Sequence, residues 1–343
     1  MRRFLLTVFL LAALILLAVG GSALWWVYRP MPMKATVVDL SIEPGTLPRE
    51  VARAVTEAGV DVNPTLLYAW FRFSGQARDI KAGSYELPQG ISAYGLLAKL
   101  ARGEEALRAV TLVEGWTFRQ FRAALAKEAE LRPDTAALSD AALMERLGRR
   151  GQHPEGRFFP DTYTYSKGSS DLAVFQRALR AMDKRLAQAW AERSPQAAVR
   201  TPDEALILAS IVEKETGRGD DRPLVSAVFN NRLRLGIPLQ TDPTVIYGMG
   251  ASFDGNLRRK DLATDTPWNT YTRNGLPPTP IAMPGKAALL AAVQPAESKA
   301  LYFVARGDGS SQFSHSLDEH NQAVNRYQRG QAGAAPAAEA KKK

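Results

Sequence analysis

Residues 206–217 of this 343-residue chain read LILASIVEKETG, an apolar run that closes on two glutamates. Thr201 and Glu204 precede the run with the spacing of a capping box, and Pro202 would occupy the first helical position. Gly217 is a stop signal for a helix. The pattern therefore predicts a helix that begins after Thr201, ends at Gly217 and is buried over most of its length.

Glu213 is the candidate catalytic acid of this helix. Apolar neighbours would desolvate its carboxyl and the negative end of the helix dipole would oppose its charge, so both effects favour the protonated form. Acid-assisted cleavage of a glycosidic bond requires a carboxyl that is protonated at neutral pH. Glu215 lies roughly 200° around the helix, so the two carboxyls would point to opposite faces. We expect one acid/base group, Glu213, with Glu215 in a supporting role; an ordinary surface glutamate on a terminal turn is the alternative.

Composition describes a globular protein of two or three domains. Hydrophobic residues make up 45% of the chain and charged residues 23%, which is enough apolar surface for a real core. Because the sequence has no cysteine, disulfides, thiol catalysis and cysteine-ligated zinc are excluded. The net charge is +9, but the basic residues are scattered without a stripe, so nucleic acid is not an expected partner.

Residues 4–28 contain no charged side chain and are long enough to span a bilayer. Two arginines precede this segment, which predicts a cytoplasmic N-terminus at residues 1–3, and aromatic residues cluster at its far end. We therefore expect a single-pass anchor in the cell inner (cytoplasmic) membrane, with the remaining chain on the periplasmic, extracytoplasmic side. A cleaved signal peptide, with Gly21-Ser22-Ala23 as the cleavage site, is the alternative.

Residues 36–106 predict a small α/β module in which short strands alternate with amphipathic helices. A strand end, a glycine turn, a Ser/Thr cap and a helix follow one another from Ile42, again from Leu87 and again from Val113. Such a module is either a packing domain or a module that binds wall glycans.

Residues 107–329 predict a second domain of the α+β class. Helical periodicity or capping signals mark the segments 134–147, 171–193, 223–236, 287–293 and 316–329. Strands are expected at 301–305 and 312–314, joined by a Gly-Asp-Gly turn. Prolines and aromatic residues are dense in 153–165, which predicts a structured loop. The Ala- and Lys-rich tail, 330–343, is expected to be disordered.

Two runs of polar and aromatic residues follow the glutamate helix, at 238–248 and 268–271. Prolines between 277 and 284 would stiffen the adjoining loop. Planar hydrogen-bonding groups beside an aromatic face are typical of a carbohydrate cleft. The candidate substrate-binding residues are Gln240, Thr241, Asp242, Tyr247, Asn269 and Tyr271.

No motif indicates a metal, a nucleotide or a serine nucleophile. His315 and His320 are five residues apart, whereas histidines that bind a metal from one helix face are four apart. The sequence has no Gly-x-x-x-x-Gly-Lys-Ser/Thr, Gly-x-Gly-x-x-Gly or Gly-x-Ser-x-Gly run. We therefore expect no cofactor and no metal.

Taken together, these residues resemble the membrane-anchored, YceG-like endolytic murein (peptidoglycan) transglycosylases. The resemblance covers about residues 36–329 and rests on the following ordered motifs: Glu155-Gly-x-x-Phe-Pro-Asp-Thr-Tyr163, Ala209-Ser-Ile-Val-Glu213-Lys-Glu-Thr216, Phe229-Asn-Asn-Arg-Leu233, Leu239-Gln-Thr-Asp-Pro-Thr-Val-Ile-Tyr247-Gly, Asn269-Thr-Tyr271, Gly275-Leu-Pro-Pro278, Ile281-Ala-Met-Pro-Gly285 and Glu319-His-Asn321. It implies a LysM-like subdomain at 36–106, followed by a catalytic transglycosylase domain with a lysozyme-like helical active-site region.

The resemblance also implies a reaction, cleavage of the MurNAc–GlcNAc β-1,4 bond within nascent glycan strands. The 6-hydroxyl of MurNAc attacks its own anomeric carbon, which leaves a 1,6-anhydroMurNAc end and terminates strand elongation. Glu213 matches the catalytic acid/base residue of the family, and an internal nucleophile needs no second carboxylate. The six cleft residues would hold the sugar. The expected partners are peptidoglycan glycan strands, the membrane and cell-wall synthases.

Two other functions stay open. A muramidase that uses water would need a partner carboxylate, either Asp242 or Asp161. A non-catalytic glycan-binding scaffold of the division or elongation machinery would bind sugar without turnover.

Overall fold

The computed structural model describes residues 2–33 and 35–329, so the tail predicted to be disordered at 330–343 lies outside the described residues. The described chain combines helices with three small two-stranded sheets, in agreement with the predicted α+β class. The residues form two compact units. The first holds the chain up to Ala109 together with Thr164–Ser169, and the second holds Val110–Tyr163 and the chain from Ser170 onward.

The first unit contains α1 (Arg2–Tyr28), β1 (Val37–Ile42), α2 (Pro48–Glu57), α3 (Pro64–Phe73), β2 (Gly83–Pro88) and α4 (Ala93–Arg102). The two strands pair antiparallel, with Leu40 opposite Tyr85. Every second residue of β1 is buried, so one face of this small sheet packs on the helices. Leu40 and Tyr85 share the core with Phe71 of α3 and Leu97 of α4.

The helix α1 includes an apolar span, Leu6–Tyr28, whose length and composition would allow it to cross a membrane; a signal sequence passes the same test. The end of α1 is part of the first unit, since Val27 is 6% exposed and the ring of Tyr28 lies 5.1 Å from that of Tyr94. Met31, also buried, donates its N–H to the carbonyl of Ile91 at 2.9 Å. The helix therefore enters the folded unit without a linker.

The strands β3 (Leu107–Thr111) and β4 (Thr162–Ser166) pair with each other, and the chain changes unit within each of them. The other elements of the second unit are α5 (Phe118–Ala126), α6 (Asp140–Arg146), α7 (Asp171–Ala191), α8 (Pro202–Glu215), α9 (Arg222–Leu235), α10 (Asp242–Met249), α11 (Arg259–Ala263), α12 (Lys286–Val293), β5 (Tyr302–Ala305), β6 (Ser311–Ser314) and α13 (Leu317–Val324). A 3₁₀ turn at Gly250–Ser252 follows α10, and a π-helical turn at Asn325–Arg329 follows α13.

The predicted glutamate helix is α8, and it is the core helix of the second unit. It packs against α7, α9, α10 and α12, and Leu208, Ile211 and Val212 have no exposed surface. The Thr201 hydroxyl accepts the hydrogen bond from Glu204 N–H that the capping pattern predicts. The middle of the helix, from Ala205 to Val212, is almost entirely buried, so its outward-facing polar side chains lie in the first and last turns.

Several predicted elements are confirmed with small changes. The segment 171–193 forms α7, 223–236 forms α9, which ends at a left-handed Gly236, and 287–293 lies within α12. The strands β5 and β6 pair antiparallel, as predicted. The glutamate helix ends at Glu215, before Gly217, because the backbone of Thr216 is extended.

Other predicted elements are wrong. The helix expected at 134–147 is limited to α6, which begins only after Ser139 caps it. The loop expected at 153–165 ends in a strand, β4, because Tyr163 and Tyr165 alternate buried with exposed neighbours. The polar run at 238–248, for which no helix or strand was predicted, contains α10, whose proline lies in the first helical turn, where proline is tolerated.

Candidate active site

Glu213 lies in the last turn of α8 and is enclosed by protein. Its side chain is 8% exposed and lies 3.8 Å from the guanidinium of Arg222, while Oε2 accepts a hydrogen bond from Gly285 N–H at 2.9 Å. Glu114 reaches the same place, since a Cβ built on Gly285 would lie 1.9 Å from Glu114 Oε1. Burial raises the pKa of Glu213 and Glu114 raises it further, whereas Gly285 and Arg222 lower it.

Glu215 faces different surroundings. Its carboxyl is largely buried, and Oε1 accepts a hydrogen bond from the hydroxyl of Thr241. Burial raises the pKa of Glu215; the hydrogen bond from Thr241 opposes this rise, and the neighbouring carboxylate of Asp242 adds to it. The two glutamates therefore occupy separate environments, as their spacing on the helix predicts.

A cavity of about 670 Å³ opens beside Glu215, a volume within the range of small-ligand sites. Three of the predicted cleft residues, Gln240, Asp242 and Tyr271, line it together with Glu215. Glu213 is not among the described residues that line this cavity. Further lining residues come from α9, β5, β6 and α13, and the polar ones are Arg232, Tyr302, Ser311, His320 and Gln328.

Asp242 and Tyr271 form a pair on the cavity wall. The Tyr271 hydroxyl donates a 2.6 Å hydrogen bond to Asp242 Oδ1. Burial raises the pKa of Tyr271, and the Asp242 carboxylate raises it further, so the phenol stays protonated as the donor. Asp242 is the first residue of α10, where the helix dipole favours a negative charge. The pair therefore presents a carboxylate and an aromatic ring together on the cavity wall.

Gln240 has the one left-handed backbone found among the described non-glycine residues, with φ of 52°. Its side chain is exposed on the cavity, and Oε1 accepts a hydrogen bond from Arg232 at 3.3 Å. Arg232, itself only 7% exposed, also donates to the carbonyls of Pro238 and Leu239 at 3.0 Å. A buried arginine thus holds the backbone that presents Gln240.

Three of the predicted cleft residues, Thr241, Asn269 and Tyr247, are not among the described residues that line this cavity. Thr241 is 2% exposed and its hydroxyl is bound to Glu215. Asn269 has no exposed surface; it donates to Leu262 and Thr264 carbonyls at 3.0 and 2.7 Å and accepts from Tyr271 N–H. These contacts brace the loops around the cavity.

Tyr247, the third of these residues, points to a buried carboxyl that sequence reasoning missed. Its hydroxyl donates to Glu155 Oε2 at 3.1 Å, and Glu155 Oε1 accepts from Phe118 N–H at 2.9 Å. Glu155 is 3% exposed, and burial raises its pKa to about 7. The available signal was the position of this glutamate inside the proline- and aromatic-rich segment 153–165.

The other candidates from the sequence are Asp161, as a second carboxylate, and the histidines, as metal ligands. Asp161 is exposed and its carboxylate accepts from the N–H of Thr162 at 2.8 Å. Within residues 2–33 and 35–329, no group of three or more histidine and acidic side chains could hold a metal ion. His320 stacks on Tyr302 with ring centres 5.2 Å apart.

The sequence profile of the YceG-like family matches residues 40–326 of this chain. The chain is 30% identical over 331 residues to a protein of Bacillus subtilis (strain 168) named endolytic murein transglycosylase, with 91% of each chain covered. A protein of the same name from Streptococcus pneumoniae serotype 2 (strain D39) is 29% identical over 320 residues, which are 84% of this chain but 58% of that longer protein. The 2.6 Å crystal structure of a yceG-like protein from Listeria monocytogenes aligns with a TM-score of 0.54 at 28% identity, covering 84% of this chain and 98% of that one.

Proposed function

Because this chain belongs to the YceG-like family, we propose that it is a murein transglycosylase, a lyase that acts on peptidoglycan. In detail, we propose endolytic cleavage of the MurNAc–GlcNAc β-1,4 bond within nascent strands, with 1,6-anhydroMurNAc ends as products. One observation carries the proposal: a carboxyl with a raised pKa opens onto a cavity lined by groups that suit sugar hydroxyls. The names of the relatives support the same activity.

Two carboxyls of α8 are candidates for the acid/base group. The sequence predicts Glu213, but its Oε2 accepts a hydrogen bond from Gly285, its Oε1 lies 3.8 Å from Arg222, and it is not one of the described residues that line the cavity. Glu215 combines the raised pKa with access to the cavity and with the predicted sugar ligands beside it. Since an acid must reach the glycosidic oxygen, geometry favours Glu215, and Glu213 stays the prediction from sequence.

The proposed reaction consumes no water. Glu215 donates its proton to the leaving O4 of GlcNAc as the bond from O4 to C1 of MurNAc breaks. The 6-hydroxyl oxygen of the same MurNAc bonds to C1, and its proton passes to the Glu215 carboxylate, which restores the acid. In this proposal Asp242, whose carboxylate accepts the hydrogen bond of Tyr271, would stabilise the positive charge that develops at C1.

The ligand set that we propose is smaller than the predicted one. Gln240 would bind sugar hydroxyl or acetamido groups, Asp242 would face the reacting ring, and Tyr271 would offer its ring face. Thr241, Tyr247 and Asn269 would act indirectly, through Glu215, Glu155 and the loop backbone.

Hydrolysis is the second candidate, because Asp242 shares the cavity with Glu215. A muramidase needs two carboxyls flanking one bond, and Asp242, unlike Asp161, is placed to supply the second. The two reactions differ in product, since an anhydro end is lighter by one water than a hydrolysed end.

We further propose that α1 is an uncleaved anchor in the inner membrane and that both units lie on the periplasmic side. The net charge of +9 suits a surface near anionic lipid or wall polymer. A LysM-like, glycan-binding role for the first unit and contact with cell-wall synthases also stay proposals.

The test is product analysis by mass spectrometry with the full-length protein in detergent and uncrosslinked glycan strands as substrate. Glu215→Gln and Glu213→Gln are matched variants, because they remove the same charge from neighbouring positions of one helix. We expect anhydro ends from the wild type, none from Glu215→Gln and a residual amount from Glu213→Gln. Loss with Glu213→Gln alone would return the role to Glu213, and binding without any product would indicate a scaffold.

A further inference from the structure

A chain of three buried threonines lies behind Glu215. Thr241, Thr244 and Thr270 are at most 2% exposed. The hydroxyls of Thr244 and Thr270 are 2.8 Å apart, and Thr244 also donates to the carbonyl of Thr241 at 2.7 Å. Thr270 Oγ1 accepts the N–H of Thr241 at 3.1 Å. Both backbone groups of Thr241 are therefore held, and only its side chain is left to point at Glu215.

The residue before Thr241 shows that this arrangement costs energy. A left-handed backbone at a non-glycine residue such as Gln240 is unfavourable and persists only where its surroundings impose it. Arg232 binds the carbonyls of Pro238 and Leu239 on one side, and Thr270 O accepts the N–H of Gln240 at 3.1 Å on the other. Strain of this kind gathers at functional sites, where it aims a particular group.

We propose that Thr241 is a positioning residue, whose hydroxyl binds Oε1 of Glu215 so that Oε2 is the oxygen that exchanges the proton with the sugar. This inference rests on the proposed function. A neutral carboxyl has one carbonyl oxygen and one hydroxyl. A donor at Oε1 makes Oε1 the carbonyl oxygen and leaves the proton on Oε2. The threonine chain would then hold Glu215 in the same orientation when it donates the proton and when it takes the proton back.

Other titratable groups near Glu215 can also influence its protonation. Asp242 of α10 lies close enough to influence Glu215, and Tyr271, Arg232 of α9 and His320 of α13 line the same cavity. Thr241 differs from these groups because its hydroxyl bonds Glu215 directly without adding a charge.

The test compares Thr241→Val, which keeps the shape and loses the hydroxyl, with Thr241→Ser, which keeps the hydroxyl. For the full-length protein acting on uncrosslinked strands, we expect Thr241→Val to lower kcat by about tenfold to a hundredfold with KM nearly unchanged. The alkaline limb of the variant's profile of kcat against pH should move to higher pH, because the lost hydrogen bond favoured the ionised form of Glu215. Thr241→Ser should restore both values to near those of the wild type.

Thr244→Val is the structural control, because the Thr244 hydroxyl belongs to the same chain but binds Thr241 and Thr270. We expect it to lower the melting temperature and to leave the pH profile in place. If Thr241→Val and Thr244→Val have the same kcat and the same pH profile, Thr241 only supports the fold and the inference is wrong. This failure differs from failure of the proposed function, in which the wild type itself yields no anhydro ends.

Discussion

The hydroxyl of Tyr271 and the carboxylate of Asp242 are joined by a 2.6 Å hydrogen bond on the wall of the cavity beside Glu215. Two segments of the chain, the start of α10 and the loop after Asn269, contribute one residue each. The bond sets the orientation of a carboxylate that a transglycosylase and a hydrolase would use differently.

Asp242→Asn should separate these two uses. Since the Asp242 charge raises the pKa of Glu215, its removal should lower that pKa and move the alkaline limb of the activity profile to lower pH. A transglycosylase should lose rate but still release anhydro ends. A hydrolase that depends on a second carboxylate should lose nearly all activity. Rate against pH, with mass analysis of the products, measures both effects, and an unchanged alkaline limb would contradict the coupling of the two groups.

Gly156→Ala should destabilise the second unit strongly. The residue has φ of 78°, and an added Cβ would lie 2.5 Å from Cβ of Pro280, whose ring cannot turn away. We expect a loss of about 3 kcal/mol or more. Gly151→Ala is the matched control, since Gly151 has φ of 77° and nothing within 4 Å, so it should lose only about 1 kcal/mol. Melting temperatures of the two variants at one pH decide the matter; equal losses would show that the contact with Pro280 has no cost.

Glu155→Gln should remove a pH dependence of stability. The pKa of Glu155 is raised from 4.5 to about 7 in the folded protein, so its stabilising contribution is complete below pH 4.5 and is lost as pH rises to about 7. The total is on the order of 3 kcal/mol. As pH rises from 4.5 to 7, the melting temperature of the variant should increase relative to that of the wild type. Above pH 7 the difference between the two should stay constant. A difference that does not vary with pH would mean that Glu155 titrates normally.

The mass of the protein extracted from membranes should be that of the whole chain, 37.5 kDa. This outcome follows if α1 is an anchor. A protein that begins after Ala23 would instead identify a cleaved signal peptide, and it would still retain Trp26 and Val27 for the core of the first unit. Intact mass measured on the wild type, with Ala23→Leu as a variant that cannot be cut there, distinguishes the two.

Local sequence patterns predicted the position and the burial of the main helix correctly. The cap at Thr201 and the apolar run gave α8 and its burial, and the spacing of Glu213 and Glu215 correctly put them in separate environments. Which of the two opens onto a cavity depends on how α9, α13 and the β5–β6 pair pack, and these contacts join residues far apart in sequence.

The prediction of site residues is limited in the same way, because packing between distant segments decides which polar side chains are exposed. Gln240, Asp242 and Tyr271 line one cavity, whereas Asn269 and Thr241 are buried and make hydrogen bonds within the protein. Composition cannot separate these two uses of a polar side chain, since both require the same chemical groups. The burial of Glu155 and the left-handed backbone of Gln240 likewise arise only in the packed chain.

The direct passage of α1 into the first unit has a consequence for where this protein could work. Val27 and Met31 are buried in the unit, so no slack chain separates the last turn of the helix from the folded part. With α1 in a bilayer, the first unit would lie directly against the lipid headgroups, because no flexible segment would separate it from the membrane. Any ligand of the first unit would then have to be within reach of the lipid surface.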